Sequence, residues 1–551
     1  MTDIQKEFDA LVTEYYGAWF RYHPEAAVDC GVEGYSDKLT PFDDDDMGAL
    51  ASLNAKILAS LDEFDFDALE PGQQTDYKLL YGSALIERNE LMSHDWRHRD
   101  PVRYLPVNAI YQLTVRPVEN FTQSLCARVE QIPSYLRSAR THVGMTPERI
   151  PKLWLESAII EARQGVIYFR ELINHPKVSR AATSKSRLGN MLDKAAAALD
   201  EFARFLEGDI APQAKGDFAC GREHFEQLLH YRHSLDLDSE QLMAFGERLF
   251  AETERDLQDV ARESGGDVAS LTARIQADHP GMKELLGEYR QQMQAARDFV
   301  IEHELVTIPE KEELKVVDTP VFLRHAIPFA AYLDPAPNDP EQSGYYYVTP
   351  AVDDEQLAEH NRAGLMHTCV HEAWPGHHLQ FVTANRKDVS RSLPRLLNAS
   401  ATMYEGWALY CEQMMQEEGF LNKPEQKFIL LRDRLWRALR IIIDVKIQTQ
   451  GMSIDEAADL MVKALGFPRS QAMADLNWYS RSPAVPMGYA TGWALINASR
   501  DRLKLTEEEF TLRSFHDRLL AEGSIALPLV IRNQFGDGMW DTVHKMVFNN
   551  D

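Results

Sequence analysis

Residues 365–381 read LMHTCVHEAWPGHHLQF, and the fold predicted around them depends on the break inside this stretch. Pro375 lacks the N–H that would bond to a carbonyl one turn earlier, and the permissive glycine follows it. A helix that enters this segment therefore has to break at the proline. The break separates two pairs of titratable residues, His371 with Glu372 and His377 with His378.

The spacing of these histidines does not fit one regular helix. His371 and His377 are six positions apart, which would place their rings about 120° apart around the axis. His378 shares a face with His371 but would lie about 10.5 Å further along, too far for one ion. We expect the Pro-Gly break to absorb the extra residues and bring His377 beside His371. The alternative ligand pair is His367 with His371, which has the four-residue spacing of zinc helices.

A catalytic zinc site needs a third protein ligand and a position for water. Residues 401–413, ATMYEGWALYCEQ, are predicted to form an amphipathic helix with a buried apolar stripe. Glu405 and Glu412 lie two turns apart on one face, and a buried carboxylate needs a partner. We expect Glu405 to bind the metal and Glu412 to orient a ligand. A solvated helix face is the alternative for both.

The rest of the chain predicts a mainly α-helical protein with a small β-sheet. Apolar residues recur at helical spacing in the first three hundred residues, for example over 180–206 and 239–264. The region 306–350 instead combines β-branched and aromatic runs with Pro-rich turns, which is typical of strands. We divide the chain into a helical scaffold lobe, 1–305, and a metal-binding catalytic lobe, 306–551, within one continuous body.

Local signals predict where the later helices begin and end. Glycines are typical of helix C-termini, and a serine followed three residues later by a glutamate is a capping box. The predicted ends are Gly419, Gly451 and Gly466, and the predicted capping box is Ser453 with Glu456.

Composition limits the classes of function. Lys plus Arg total 58 against 85 for Asp plus Glu, a net charge of −27 that repels phosphate backbones and anionic lipids. No basic leader or membrane-spanning apolar run is visible, and the 5 cysteines form no CxxC pair. We expect a cytoplasmic protein with reduced thiols and with neither nucleic acid nor a membrane as partner.

HExxPGHH at 371–378, followed by EGWALY from Glu405, resembles the bacterial family catalogued as domain of unknown function 885. That family is grouped with zincin-like metallopeptidases. Further matching segments are GREHFEQLL, GYYYVTP, RALRIIID, SPAVPMGY and FHDRLLAEG. The resemblance implies a largely helical fold with a deep cleft, similar to neurolysin-like and thermostable carboxypeptidase zincins.

Carried onto this chain, the resemblance implies a gluzincin site with one zinc ion held by His371, His377 and Glu405. Glu372 takes the position of the general base, which implies hydrolysis of a peptide or small amide. Ala408 lies one turn after Glu405 and matches the small residue that gluzincins have at this position, where it lets two helices approach each other.

A tetrahedral oxyanion needs a hydrogen-bond donor besides the metal, and Tyr489 is the candidate for it. A packed core tyrosine is the alternative. Tyr346 alternates with two other tyrosines along a predicted strand whose edge could pair with an extended peptide, although sheet packing explains it equally well. Arg440 and Arg481 could bind a substrate carboxylate, with surface salt bridges as the alternative. The remaining weak candidates for support of the site are His378 and Asp444.

The sequence also departs from the family pattern. Gln448 stands where a histidine is expected four residues after Asp444, and Trp478 and Val485 replace an arginine and a glutamine. These changes bear on substrate preference and activity. Two other functions remain: a catalytically inactive helical metal-containing binding protein, favoured by Gln448, and an Fe(II)-type oxygenase, since such sites also use two histidines and a carboxylate. Glu372 argues against the oxygenase.

Overall fold

The computed structural model describes residues 2–181, 185–324, 327 and 329–549. Within them the protein is mainly α-helical and carries one small three-stranded β-sheet, which confirms the predicted fold class. None of the described helices is both long enough and apolar enough to cross a membrane.

The chain forms two compact units, and the first comprises Met1–Phe218, Pro320–Ala326 and Ala336–Pro340. Its core lies between helices that pack pairwise, α3 on α4 and both α6 and α7 on α9. The helices are α1 (Asp3–Trp19), α2 (Pro24–Asp29), α3 (Asp44–Asp62), α4 (Pro71–Ser93), α5 (Val107–Val115), α6 (Phe121–Met145), α7 (Lys152–Glu171), α8 (Pro176–Ala181) and α9 (Lys185–Phe205).

The second unit comprises Ala219–Thr319, Ile327–Pro335 and Glu341–Asp551 and holds every candidate site residue. Its helices are α10 (Arg222–Gln227), α11 (Ser239–Glu263), α12 (Val268–Gln276), α13 (Leu285–Glu302), α14 (Asp354–Glu359), α15 (Arg362–Glu372), α16 (His377–Arg386), α17 (Leu393–Leu397), α18 (Ala401–Glu417), α19 (Pro424–Thr449), α20 (Ile454–Leu465), α21 (Arg469–Arg481), α22 (Gly488–Thr506), α23 (Leu512–Leu519), α24 (Leu527–Phe535) and α25 (Asp537–Phe548).

The boundary between the units differs from the division predicted at residue 305. Residues 219–305 belong to the second unit, because α11 packs along the length of α19. The composition changes at residue 306 because the strands begin shortly after it. The residues on both sides of this point belong to the same unit.

The sheet consists of β1 (Glu313–Asp318), β2 (Ala330–Leu333) and β3 (Ser343–Val348), in the order β1-β3-β2. β3 pairs in parallel with β1 and antiparallel with β2, so that Tyr346 lies between Val316 and Tyr332. The expected free edge at Tyr346 is therefore wrong, because both sides of β3 are occupied by other strands.

The predicted helices and helix ends agree with the structure. Helix α11 matches the predicted helix over 239–264, and α9 matches the one over 180–206, of which 182–184 lie outside the described residues. Gly466 caps α20 in the left-handed conformation with φ of 71°, and α18 and α19 end just before Gly419 and Gly451. The capping box of α20 is present, since Ser453 Oγ accepts from the Glu456 N–H at 3.2 Å.

Helices α18 and α22 cross with their backbones in contact. A Cβ placed on Gly406 would lie only 2.5 Å from the Cα of Gly492, so a side chain at this crossing has no room. The predicted small residue, Ala408, is fully buried, but the close approach in this pair of helices is made by the two glycines. The crossing fixes Glu405 on α18 relative to Tyr489 on α22.

Candidate metal centre

The Pro-Gly segment ends one helix and begins another. Helix α15 stops at Glu372 and α16 starts at His377, so the chain breaks completely where the sequence predicted a loosened turn. The N–H of Gly376 donates to the Val370 carbonyl at 3.0 Å, and a Cβ at position 376 would collide with the carbonyl oxygen of His371. Glycine at 376 therefore allows α16 to begin against the last turn of α15.

The break brings His371 and His377 together. Their ring centroids are 4.8 Å apart and their planes are perpendicular, at 90°. Oε2 of Glu405 lies 3.5 Å from Nε2 of His371 and 3.3 Å from Nε2 of His377. One possible ligand atom from each of the three residues lies within 4.8 Å of the other two. The three predicted ligands thus converge from α15, α16 and α18.

Helix α18 also holds the break in place. The indole Nε1 of Trp407 donates to the carbonyl oxygen of Pro375 at 2.8 Å, and both Trp407 and Pro375 are buried. Trp407 follows Glu405 by two residues on the same helix. The carboxylate and the segment between the histidines are therefore positioned by one element.

Glu412 orients His371 from the side opposite the cluster. Nδ1 of His371 donates to Oε1 of Glu412 at 2.8 Å, which leaves Nε2 facing Glu405. The other oxygen of Glu412 lies 3.2 Å from Nδ1 of His367, whose Nε2 is 2.8 Å from the Gln426 carbonyl. Both ring nitrogens of His367 are thus engaged away from the cluster, and the alternative ligand pair with His367 is wrong.

The buried carboxylates make the cluster attract positive charge. Burial opposes ionisation of Glu405, but His377 and His371 outweigh it and hold its pKa well below the ordinary value. The pKa of Glu412 is lowered in the same way by His367 and His371. Burial disfavours the charge on His371, yet Glu405 and Glu412 together raise its pKa to about 10. The two carboxylates therefore stabilise a cation bound at Nε2 of His371.

The residues fit a divalent cation such as Zn²⁺. Two nitrogens and one carboxylate oxygen are a common catalytic zinc set, and bonds of 2.0–2.1 Å in a tetrahedron put ligand atoms about 3.3 Å apart. The measured 3.3 and 3.5 Å separations from Glu405 agree with this. Among the described residues, the buried Oε2 of Glu405 has no hydrogen-bond partner, so the oxygen nearest both histidines is available for a metal.

A cavity of about 320 Å³ opens onto the cluster. Glu372 lines it directly beside the two histidines and Glu405. Burial raises the pKa of Glu372, an effect that exceeds the opposing attraction of His377 and His371. Three phenols also face the cavity, those of Tyr332, Tyr404 and Tyr489. The cavity therefore holds a carboxylate that can accept a proton together with several hydroxyl groups.

Comparison with known proteins gives the family. A bacterial family described as "Bacterial protein of unknown function (DUF885)" matches residues 24–533. The chain belongs to the DUF885 family. None of the curated proteins matches this DUF885 chain.

Two solved structures share the fold of this DUF885 protein. One is a candidate lipoprotein of unknown function from Shewanella oneidensis, with a TM-score of 0.76 and 22% identity, covering 96% of this chain and 99% of that one. The other is a candidate lipoprotein from Colwellia psychrerythraea, with a TM-score of 0.80 and 18% identity, covering 100% of both chains. At these identities the likeness establishes the fold alone.

Tyr489 of the DUF885 protein lies beside the ligands and in front of an arginine. Its ring stacks 6.3 Å from that of His371, and burial raises its pKa well above the ordinary value, which keeps the phenol protonated. The guanidinium of Arg440 lies 4.4 Å from the Tyr489 ring, and its Nε donates to the Tyr479 hydroxyl at 2.7 Å. Arg440 is buried, so the expectation of a surface salt bridge for it is wrong.

Several weaker candidates lie outside the cavity. Tyr346 is fully buried and packs against Tyr289 at 5.4 Å, and Asp444 is fully buried facing the backbone of residues 484–487. Burial raises the pKa of Asp444 well above its ordinary value. Arg481 is the last residue of α21 and is half-buried. None of these side chains lines the described cavity of the metal cluster.

The three departures from the family pattern lie in different surroundings. Gln448 is buried, accepts from the Cys220 N–H at 3.0 Å and donates to the Tyr479 carbonyl at 3.1 Å, so it joins α19 to two other segments. Trp478 packs edge-on against Tyr489 at 6.4 Å and therefore borders the site. Val485 lies in the turn that precedes α22, and nothing in the structure explains that substitution.

Sequence reasoning missed Tyr332 and Tyr404 as cavity residues. Tyr404 directly precedes the candidate ligand Glu405, so the sequence already placed it close to the predicted site. Tyr332 is brought to the site only by the pairing of β2 with β3, which no local pattern specifies.

Proposed function

We propose that this DUF885 protein is a zinc-dependent hydrolase that cleaves amide bonds in peptides. The observation that carries the proposal is the approach of His371 and His377 to one buried carboxylate oxygen of Glu405. Among the described residues, that oxygen has no hydrogen-bond partner. Buried anionic groups are costly without a cation, and this donor set suits zinc. One ion per chain satisfies the site.

A zinc ion bound by these three residues would supply Lewis acidity for activating water and polarising a carbonyl oxygen. Glu372 accepts the proton of the attacking water and returns it to the leaving nitrogen, as a general base and then a general acid. Burial raises its pKa, which makes the carboxylate a stronger proton acceptor than an exposed glutamate. Tyr489 stays protonated and donates a hydrogen bond to the developing oxyanion. Glu412 keeps Nδ1 of His371 protonated, so Nε2 carries the free lone pair.

The proposal includes a relationship to gluzincin peptidases with a substrate cleft, such as the neurolysin-like and thermostable carboxypeptidase enzymes. Its support is the order of the candidate ligands, with one histidine on each side of the Pro-Gly break and a glutamate on a later helix. A cytoplasmic location and a peptide or small amide as substrate stay predictions.

The Glu372 carboxylate in the cavity favours hydrolysis over an Fe(II) oxygenase, which does not require a base beside its first ligand. Gln448 no longer favours an inactive binding protein. Its amide makes hydrogen bonds on both sides within the second unit, so a structural role accounts for that residue.

Metal analysis combined with a substrate screen tests the proposal. Protein purified without chelators is expected to contain about one zinc per chain and to cleave members of an internally quenched peptide library. Removal of zinc with 1,10-phenanthroline should abolish cleavage, and added zinc should restore it. Iron in place of zinc, or zinc without cleavage of any peptide or acyl-amino-acid amide, would contradict the proposal.

A further inference from the structure

Two arginines on α19 lie against Tyr489. Arg437 and Arg440 are three residues apart, so their side chains leave the same face of the helix. Cζ of Arg440 lies 4.4 Å from the centre of the Tyr489 ring, and Cζ of Arg437 lies 5.7 Å from it. The same ring stacks 6.3 Å from that of His371. Tyr489 is therefore a common neighbour of both guanidinium groups and of a candidate metal ligand.

The protein uses only part of the hydrogen-bonding capacity of these guanidinium groups. Nε and Nη1 of Arg437 and Nη1 of Arg440 are buried and have no hydrogen-bond partner among the residues that the structure describes. The carboxylate of Asp433 lies 3.9 Å from Nη1 of Arg437, beyond hydrogen-bonding distance, and accepts instead from Arg432 at 3.2 Å. A guanidinium is always charged, and buried donors on it are costly unless an acceptor reaches them.

The local charge is positive. Asp475 interacts electrostatically with both Arg437 and Arg440, and its Oδ2 has no hydrogen-bond partner in the described part of the chain. Burial raises the pKa of Asp475 to about 6, although the two arginines oppose this shift. Two guanidinium charges therefore face this one carboxylate, since Asp433 is paired with Arg432. A ligand that brings a single carboxylate would balance the charge.

The two arginines can be reached from solvent. Tyr489, Trp436 and Trp478 are each only half-buried, and 11% of the Arg437 side chain remains exposed. The two indole rings lie 4.3 and 5.5 Å from Cζ of Arg440 and hold its guanidinium by cation–π contacts. The guanidinium groups are thus fixed in position, and a ligand approaching between the rings meets Arg437 first.

We propose that Arg437 and Arg440 bind the free α-carboxylate of a peptide substrate, and that the protein releases one residue at a time from the C-terminus. The inference rests on the proposed hydrolase function. A carboxylate accepts two parallel hydrogen bonds from a guanidinium and supplies the negative charge that these arginines lack. A C-terminal amide is neutral, and its NH₂ group would face the guanidinium donor to donor. A peptide with a blocked C-terminus is therefore a poor substrate.

The short distance to Tyr489 favours cleavage of the last peptide bond. The proposed hydrogen bond from Tyr489 to the oxyanion places the scissile carbonyl at its hydroxyl. An extended chain advances by about 3.3–3.6 Å per residue and a guanidinium–carboxylate hydrogen bond adds about 2.8 Å, so an α-carboxylate one residue away spans about 6 Å. One that is two residues away spans about 10 Å. The shorter span matches the 4.4 and 5.7 Å between the Tyr489 ring and the arginines.

Each turnover is a hydrolysis that leaves a substrate for the next. Water adds its oxygen to the carbonyl carbon of the last peptide bond, the C–N bond breaks, and the leaving nitrogen takes a proton from Glu372. The products are a free amino acid and a peptide shortened by one residue. The new end of that peptide is again an α-carboxylate, which the same two arginines can bind.

A matched pair of peptides tests the inference. Both have the sequence cleaved fastest in the quenched library, and one ends in a free carboxylate whereas the other ends in an amide. Mass spectrometry identifies every product. The wild type is expected to release the last residue of the acid at least about tenfold faster than that of the amide, because the amide loses hydrogen bonds to a charged group.

Substitutions at Arg437 assign this preference to the arginine. Arg437→Met should lower kcat/KM for the acid by about tenfold or more and for the amide by less than about threefold. Arg437→Lys keeps the charge without the fork of donors and should lose less than Arg437→Met. Arg434→Met is the control, because that guanidinium packs 4.4 Å from the Trp493 ring and donates to Gln413 at 3.0 Å. It should keep the preference for the acid. Zinc content is measured for each variant.

Equal rates of the wild type on acid and amide would overturn the inference, as would products other than single C-terminal residues. An unchanged rate of Arg437→Met on the acid, or an equal loss on both peptides, would also overturn it. The comparison with the wild type needs no substituted protein, so it decides the matter even where Arg437→Met does not fold. Wild-type protein that holds zinc and cleaves neither peptide would instead refute the hydrolase proposal on which the inference depends.

Discussion

The indole N–H of Trp407 donates to the carbonyl oxygen of Pro375 at 2.8 Å. This bond joins the helix that carries Glu405 to the four residues that separate the two histidine-bearing helices. The contact therefore helps to fix the position of the break relative to Glu405. An indole that makes no hydrogen bond to the three candidate ligands thus contributes to their spacing.

Trp407→Phe should therefore weaken zinc binding without removing a ligand. We expect the zinc Kd to rise about tenfold, as is typical when the support of a ligand is lost, and the free energy of unfolding to fall by about 1 kcal/mol. Competition with a chromogenic chelator measures the Kd. Trp493→Phe is the control, because that indole donates to Gln413 at 2.7 Å. An unchanged zinc Kd in Trp407→Phe would show that the break holds itself in place.

Glu372→Gln should separate metal binding from turnover. The amide keeps the shape of the side chain but cannot accept the proton from water, so kcat should fall by about 10³-fold while zinc content stays at that of the wild type. Single-turnover cleavage of the best library peptide and metal analysis of the same sample measure both quantities. Undiminished turnover in this variant would remove Glu372 from the mechanism.

Glu405→Gln should abolish tight zinc binding. The substitution replaces the only carboxylate oxygen that lies within 3.5 Å of both histidines among the described residues. Zinc content after dialysis and the zinc-dependent rise in Tm should both disappear. Glu418→Gln, at the exposed end of the same helix, should behave like the wild type. Retention of zinc by Glu405→Gln would mean that the ion is held elsewhere.

Mild acid should destabilise the second unit through a histidine outside the metal centre. His516 is fully buried, donates from Nδ1 to the Leu305 carbonyl at 2.6 Å and accepts from the Tyr410 hydroxyl at 2.8 Å. Burial, reinforced by Arg500, lowers its pKa to about 4. The unfolded chain binds a proton near pH 6.5, so stability is complete above that pH and is lost as the pH falls toward 4.

The loss attributable to His516 is on the order of 3 kcal/mol over that interval. Urea unfolding of the metal-free protein between pH 8 and pH 4.5 measures it. His516→Gln should be less stable than the wild type at pH 8 but should lose less stability on acidification. Equal slopes for the two proteins would indicate that the buried imidazole takes up its proton without unfolding.

Local chemistry made much of this architecture predictable. The capping box at Ser453 and the glycines after α18, α19 and α20 are short-range signals, and the structure has helix ends at each of them. The approach of His377 to His371 followed from the missing N–H of Pro375 and from the glycine after it. These features depend on a few neighbouring residues, and the sequence contains all of those residues.

Features that depend on distant pairing were not predictable. The division proposed at residue 305 followed the change in composition at residue 306, whereas packing of α11 along α19 decides which unit residues 219–305 join. The central position of β3 depends on two other strands, so the sequence left Tyr346 open between a free edge and ordinary sheet packing, and it lies in the interior. The contact of Tyr332 with His378 has the same origin, because a strand of four residues carries no signal for its register.

The backbone crossing of Gly406 and Gly492 limits how this protein can be re-engineered. Neither position offers a side chain to shorten, so a designer who wants a roomier cavity beside the candidate metal centre gains nothing by trimming residues at that crossing. Extra space has to come from residues that line the cavity, such as Phe381 and Tyr404, which present large rings to it. Substitutions there would change which substrates fit while leaving the two helices locked in their present alignment.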